Sequence, residues 1–336
     1  MNHFNPSEPV NDWFLLIPIL KDTTATDKAD KAIFNFSLNE QAGGATQKIF
    51  DVAKEPFKND APENRYIFFP APAASMDFFV FSSDAVVHLA ETNCKFLPLY
   101  TYSADGKKSI NISAEALQKF KEHYETSESA SPVCYANSPE IRDDFKIPMA
   151  GTEPVCKENI FYYVYAVLHY RPYCKKYEEN LQYDVPHIPL YQNFGQWVRW
   201  GKKLMTCHMH YENAALYPLE KSVSTGKMSS TAFPYVLKEE GRVVLDENTV
   251  LQPIPASAFN FKLGHQSALE IIVSQYQDKI SNGSPDEKLN GSPDEKEKII
   301  ELIKKICTIS ILTLEIMDEM ERSHQIQSDT NFRNDE

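Results

Sequence analysis

Ile160-Phe161-Tyr162-Tyr163-Val164-Tyr165-Ala166-Val167-Leu168-His169 is the stretch on which the fold turns. It holds no acid, lysine, arginine, glycine or proline, and Ile160, Tyr163, Val164, Val167 and Leu168 recur at the three- and four-residue spacing of one helix face. A second run after Pro189 keeps that period through Phe194, Trp197, Leu204 and Cys207. Lys157 to Glu212 is therefore the most strongly helical part of the chain. Two such helices need each other, or a sheet, to cover their apolar sides.

Toward the N-terminus the period changes. Phe14-Leu15-Leu16-Ile17-Pro18-Ile19, Arg65-Tyr66-Ile67-Phe68-Phe69, Phe78-Phe79-Val80-Phe81 and Phe96-Leu97-Pro98-Leu99-Tyr100 are short aromatic and branched segments, separated by Pro, Asn, Asp and Ser. That is strand punctuation. Ser113 is a good N-cap for a helix through Ala116, Phe120 and Tyr124. The polar stretch from Thr126 to about Gly151, with Pro132, Pro139 and Pro148, reads as a linker or long surface loop.

Toward the C-terminus, Val236 to Leu251 reads as a β-hairpin with Glu240-Gly241 at its turn, and Ser267–Lys279 and Lys298–Met320 read as helices. Between those helices Asn282-Gly283-Ser284-Pro285-Asp286-Glu287-Lys288 recurs as Asn290-Gly291-Ser292-Pro293-Asp294-Glu295-Lys296. This polar duplication predicts a solvated loop over 282–297, and the tail 323–336 is expected to be disordered. The fold class is α+β: a strand-rich part over 1–110, then a larger, mainly helical part over 111–322 holding the Ile160–Leu168 and Ser267–Lys279 helices in one core.

The 336 residues are 42% hydrophobic and 24% charged, an ordinary globular composition. No apolar run is long enough to cross a bilayer, and the N-terminus lacks the basic start and small-residue cleavage site of a secretory signal, so a cytoplasmic protein without membrane contact is expected. Cys94, Cys134, Cys156, Cys174, Cys207 and Cys307 form no close pair, as for reduced thiols. Cys207-His208-Met209-His210 approaches a metal-site spacing, but in a helix adjacent residues point apart. No metal and no cofactor are expected. The net charge of −13 argues against nucleic acid unless positive charge is gathered locally.

Catalytic motifs are missing. There is no Gly-x-Gly cofactor loop, no Asn-Pro-Pro-aromatic motif for a flipped base, and no phosphate-wrapping Gly-x-x-x-x-Gly-Lys-Ser/Thr. Pro285-Asp286 with Asp294-Glu295-Lys296 matches a metal-dependent nuclease pattern in letters. Such carboxylates must be held rigidly on strands, whereas these sit in a hydrophilic repeat. His88 and His169 end or interrupt apolar segments and read as packed side chains, with no carboxylate placed to orient them. No catalytic residue is assigned.

Several segments together resemble the C-terminal region of type ISP restriction–modification enzymes. Glu63-Asn64-Arg65-Tyr66-Ile67, Ala85-Val86-Val87-His88-Leu89 and Cys94-Lys95-Phe96-Leu97-Pro98-Leu99-Tyr100 are similar to its strand-rich stretch, and Ile160–His169 to its helical block. The sharpest likeness is Ile254-Pro255 with Phe259-Asn260-Phe261-Lys262-Leu263-Gly264-His265-Gln266-Ser267-Ala268-Leu269-Glu270. The resemblance, in this order from about Glu63 to Met320, implies a non-catalytic module that reads a short double-stranded DNA sequence. It would be a remnant, or a subunit working with a separate adenine methyltransferase or restriction subunit. A protein-interaction fragment that docks on such an enzyme without touching DNA is the alternative, favoured by the acidity.

Three basic clusters are candidate DNA contacts. Arg171, Lys175 and Lys176 are interleaved with Tyr170, Tyr173 and Tyr177. Arg199, Lys202 and Lys203 lie beside Trp197 and Trp200. Lys262, His265 and Gln266 precede the helix at Ser267, whose N-terminal amides are expected to suit a phosphate.

Overall fold

The computed structural model describes residues 13–15, 64–70, 77–83, 94–102, 107–125, 153–183, 186–222, 233–282 and 293–333. His88, the 126–151 stretch up to residue 152 and the first copy of the repeat from residue 283 lie outside them. The architecture is α+β, with small antiparallel sheets and long helices. The chain divides by its contacts into two units: residues 1–40, 56–209 and 316–336 in one, residues 41–55 and 210–315 in the other.

The first unit contains strands β1 (Trp13–Leu15), β2 (Tyr66–Pro70), β3 (Phe81–Ser83), β4 (Cys94–Pro98), β5 (Tyr100–Tyr102) and β6 (Lys108–Ile110). Helices α1 (Ala114–Glu125), α2 (Lys157–His169), α3 (Arg171–Lys176) and α4 (Glu178–Tyr183) follow, then strand β7 (His187–Pro189) and helix α5 (Phe194–Met209). The strands pair antiparallel as β3-β2-β4, β5-β6 and β1-β7. Three- and five-residue strands cannot bury a face unaided. They share one core with the helices: Ile67, Phe69, Leu97 and Leu99 pack with Ile160–Leu168 and with Trp197 and Leu204 of α5. For that reason the contact boundary falls after Met209, and residues on either side of 110 stand in the same unit.

Helix α2 is buried all round, from Asn159 to His169. Its periodic apolar positions are only part of its covered surface, because the tyrosines between them are covered too and find acceptors. Tyr163 donates to the Pro189 carbonyl at 2.7 Å and accepts the Tyr191 amide at 2.7 Å. Tyr173 of α3 donates to the His187 carbonyl at 2.8 Å. Buried hydroxyls that are paired in this way carry little desolvation cost. Helix α5 crosses α2 at Gly201, where a Cβ would stand 1.8 Å from the Tyr162 carbonyl oxygen. Only glycine allows that approach.

At the far end of α2 a buried polar group forms. Tyr165 donates to Ser82 Oγ at 3.1 Å and shares a 2.7 Å hydrogen bond with His208 Nδ1; His169 donates from Nδ1 to the Tyr165 carbonyl at 2.8 Å. The two imidazoles lie 5.3 Å apart. Burial pushes His169 down to about 4, and burial plus the neighbouring His169 hold His208 well below the usual histidine range. Both rings are neutral at pH 7. They serve packing.

The second unit holds strands β8 (Glu220–Ser222), β9 (Tyr235–Leu237), β10 (Arg242–Asp246) and β11 (Thr249–Gln252), paired antiparallel in the order β8-β11-β10-β9. The expected hairpin is thus three strands of a larger sheet, its edge pair β9–β10 joined by the turn at Gly241. There φ is +60° and a Cβ would stand 2.5 Å from the Ile254 carbonyl oxygen. Strands β12 (Lys262–Leu263) and β13 (Gln266–Ser267) form a tight hairpin leading into helix α6 (Ala268–Asn282).

Helix α7 runs from Pro293 to Arg333. Residues 293–297, read from the sequence as loop, and 323–333, read as disordered tail, lie within this helix; 283–292 and 334–336 lie outside the described residues. The second Pro-Asp-Glu-Lys copy begins a helix, which is physically reasonable: proline suits the first helical turn and acids suit its positive end. In this first part of α7, Lys296 pairs with Asp246, and Glu297 with Lys221 at 2.5 Å. At the other end, within the first unit, Ile316 and Met320 are fully buried.

Gly201→Ala is expected to destabilise the chain by about 3 kcal/mol, since backbone rather than a flexible side chain must yield; an unchanged denaturation midpoint would contradict the α2–α5 contact. The histidine pair sets a second expectation. Unfolded imidazoles protonate near the ordinary value, folded ones only lower, so the stability present above about pH 6.5 is lost as pH falls toward the folded values. Stability should drop by at least about 2 kcal/mol between pH 7 and 5. His208→Gln should flatten that slope in denaturant titrations.

Candidate nucleic-acid interface

Around the start of α2 and the middle of α5 the structure adds Arg65 to the basic residues that the sequence showed, and two carboxylates with it. Lys202 Nζ lies 2.8 Å from Glu153 Oε2 and 5.7 Å from the Tyr162 ring centroid. Arg65, which precedes β2, donates to the Tyr162 hydroxyl, stands over the same ring at 5.8 Å and approaches Glu158 at 3.9 Å. Arg199 donates from Nη2 at 2.6 Å and Nε at 3.2 Å to Gln196 Oε1, a neutral acceptor. Lys203 is 8% exposed, its stem covered along α5. Arg65, Arg199 and Lys202 are three cations; Glu153 and Glu158 are two carboxylates. The group carries a local excess of one positive charge. Arg65 was missed because it is separated from Tyr162 by 97 residues, and no spacing rule links them.

The cluster on α3 is less cationic than it read. Arg171 is clasped by Asp318 and Glu321 of α7. Burial opposes its charge, but the hydrogen bonds it donates to both carboxylates outweigh that and raise its proton affinity further. Lys175 and Lys176 remain exposed, with Lys176 Nζ 5.2 Å from the Tyr177 ring. The interleaved Tyr170, Tyr173 and Tyr177 are core residues, so they offer no stacking surface.

The β12–β13 hairpin brings its three candidates together at a turn. Lys262, His265 and Gln266 are exposed, while Leu263 and Ser267 are buried and anchor it. Gly264 takes φ +71° at the first central position of the two-residue turn, which suits glycine. The expected phosphate seat at the start of α6 is not there. Ser267 and Glu270 form a capping box: the Ser267 amide and hydroxyl both donate to Glu270 Oε2 at 2.8 Å, and the Glu270 amide donates to Ser267 Oγ at 3.3 Å. Lys238 binds the other carboxylate oxygen at 2.6 Å. Burial works against the Glu270 charge, but these bonds hold it below the usual carboxylate range. A carboxylate of the chain itself already sits where the phosphate would go.

Among the described residues no group of three His, Cys, Asp or Glu side chains could hold a metal ion. Cys207, beside Lys203 in sequence spacing, is pushed up to about 12 by burial and is no nucleophile at neutral pH. Among these residues, also, no helix is long and apolar enough to cross a membrane.

Comparison with known proteins places this geometry. The family model described as the type ISP C-terminal specificity domain matches residues 32–302. Among solved structures, the DrdV–DNA complex determined by cryoEM is 30% identical, with a TM-score of 0.60, over 76% of this chain and 24% of that one. A nuclease-deletion mutant of the type ISP restriction–modification enzyme LlaGI, in complex with a DNA substrate mimic, is 24% identical over 77% of this chain and 21% of its own, with a TM-score of 0.52. The ATP-dependent type ISP enzyme LlaBIII bound to DNA is 22% identical over 77% and 16%, with a TM-score of 0.53. The latter two share the fold. The chain spans about a quarter or less of each of these proteins, and none of the curated proteins compared with it matches. The chain belongs to the family of type ISP C-terminal specificity domains.

Proposed function

We propose that this chain is a DNA target-recognition module, holding a duplex for reactive machinery carried by other modules or by a separate adenine methyltransferase or restriction subunit. Family membership and the 30% identical DrdV, solved as a DNA complex, support the reading. The observation that carries it is the local excess of positive charge at Arg65, Arg199 and Lys202 in a chain whose net charge is −13. Global repulsion makes affinity modest and strongly dependent on salt; the local group fixes where the phosphates lie. Lys175 and Lys176, and the hairpin residues Lys262, His265 and Gln266, are further proposed contacts. The hairpin is the stiffer element, fixed by the capping box, and so the better placed to approach a groove.

Fluorescence anisotropy with a duplex oligonucleotide tests this. Binding should weaken with salt, with a log–log slope of about −2 to −4 for a few phosphate contacts. Arg199→Ala with Lys202→Ala should flatten the slope by about 2, whereas Arg171→Ala, already neutralised, should change affinity by less than about twofold. No duplex binding below 50 mM salt, roughly the low-salt end of such titrations, together with co-purification on a methyltransferase, would replace this reading by protein docking, which the acidity favours. A larger loss from Arg171→Ala than from the α5 pair would move the interface to α3.

A further inference from the structure

A shallow cleft, open to solvent on one side, lies at the start of α5. Gln192, Asn193, Gln196, Trp197 and Trp200 line it from that helix and its approach, with Ser323 and His324 of α7 opposite. None of these side chains carries a fixed charge. The interior admits a group about the size of a water molecule, an atom with its shell and not a ring.

The lining holds a buried donor that has no acceptor. Trp200 is 2% exposed, and its buried indole N–H finds no partner among the described residues. Gln196 is 7% exposed and gives its Oε1 to Arg199, so the end of its amide that is left is the donating NH2. Nδ1 of His324 is buried without a partner as well. Asn193 adopts φ 62° and turns its carbonyl to the amides of Gln196 and Trp197 at 2.9 and 3.4 Å, which sets the first turn of a 16-residue helix against the cleft. An unpaired indole N–H and a helix start both favour an oxygen. Glu153, whose Cβ lies beside Gly195, is engaged by Lys202 and Asn159 and does not fill the role.

We propose that this cleft seats a single phosphoryl oxygen of a nucleic-acid backbone, with the Trp200 indole and the Gln196 amide as its donors. The inference rests on the reading of the chain as a DNA-recognition module. Arg199 supplies the charge: its guanidinium sits on the carbonyl end of the Gln196 amide and strengthens the N–H2 at the other end. A phosphate drawn to Arg199 therefore meets a preformed neutral pair of donors that fixes its register along α5. Free inorganic phosphate has the same chemistry, and the test separates the two.

The chain has three tryptophans, so the ¹⁵N-labelled full-length protein gives three indole N–H signals, and Trp200→Phe identifies that of Trp200. The signal is followed during titration with inorganic phosphate and, separately, with a duplex whose binding is measured by anisotropy. Movement with both is expected. Gln196→Glu keeps an oxygen for Arg199 but replaces the donor by an acceptor; it should weaken both effects at least about five-fold with an unchanged melting temperature. A Trp200 signal that stays still while the duplex binds overturns the inference and leaves the DNA reading intact. A duplex that does not bind at all removes the DNA reading, and the nucleic-acid source with it, even if phosphate moves the signal.

Discussion

The contact between α2 and α5 at Gly201 is the constraint on which the first unit depends. With the Tyr162 carbonyl where a side chain would begin, the two helix backbones touch. That approach buries α2 on every side, and a helix buried on every side must settle its polar groups internally. The tyrosine hydroxyls do so through the β7 segment, and the two histidines remain neutral for the same reason. Tyr162 is also where the packing reaches the surface: its ring carries Arg65 and Lys202, so the core contact positions the basic group.

Much of this architecture was legible in the residues. The helical period at Ile160–Leu168, the Ser113 cap and the Glu240-Gly241 turn are local features, and each appears where short-range chemistry puts it; Ser113 Oγ accepts the Ala116 amide at 3.0 Å. What was illegible is either long-range or ambiguous. Nothing in the sequence says that the strands before residue 110 share a core with α2. Nor does a Pro-Asp-Glu run announce whether it is loop or helix start; the apolar stripe that follows decides, and α7 begins there.

The candidate site divides along the same line. Clusters close in sequence could be named, but their net charge depends on distant partners. Arg171 reads as a cation and is neutralised by residues about 150 positions away. Arg65 reads as a strand residue and joins the basic group. The motif ending in Ser267-Ala268-Leu269-Glu270 turned out to carry its own anion, a capping role that its S-x-x-E spacing could have disclosed. An acidic chain can thus hold a cationic spot, provided the acids nearest it are fewer than the bases.

Amide hydrogen exchange on the full chain, with and without a duplex oligonucleotide, tests the central claim most directly. The account predicts slowed exchange in the first turns of α5 and around the Gly264 turn, with the α3 surface near Arg171 unchanged. Slowing confined to α3 and the Asp318–Glu321 turn of α7, or no slowing anywhere under conditions where the duplex is bound, would contradict it.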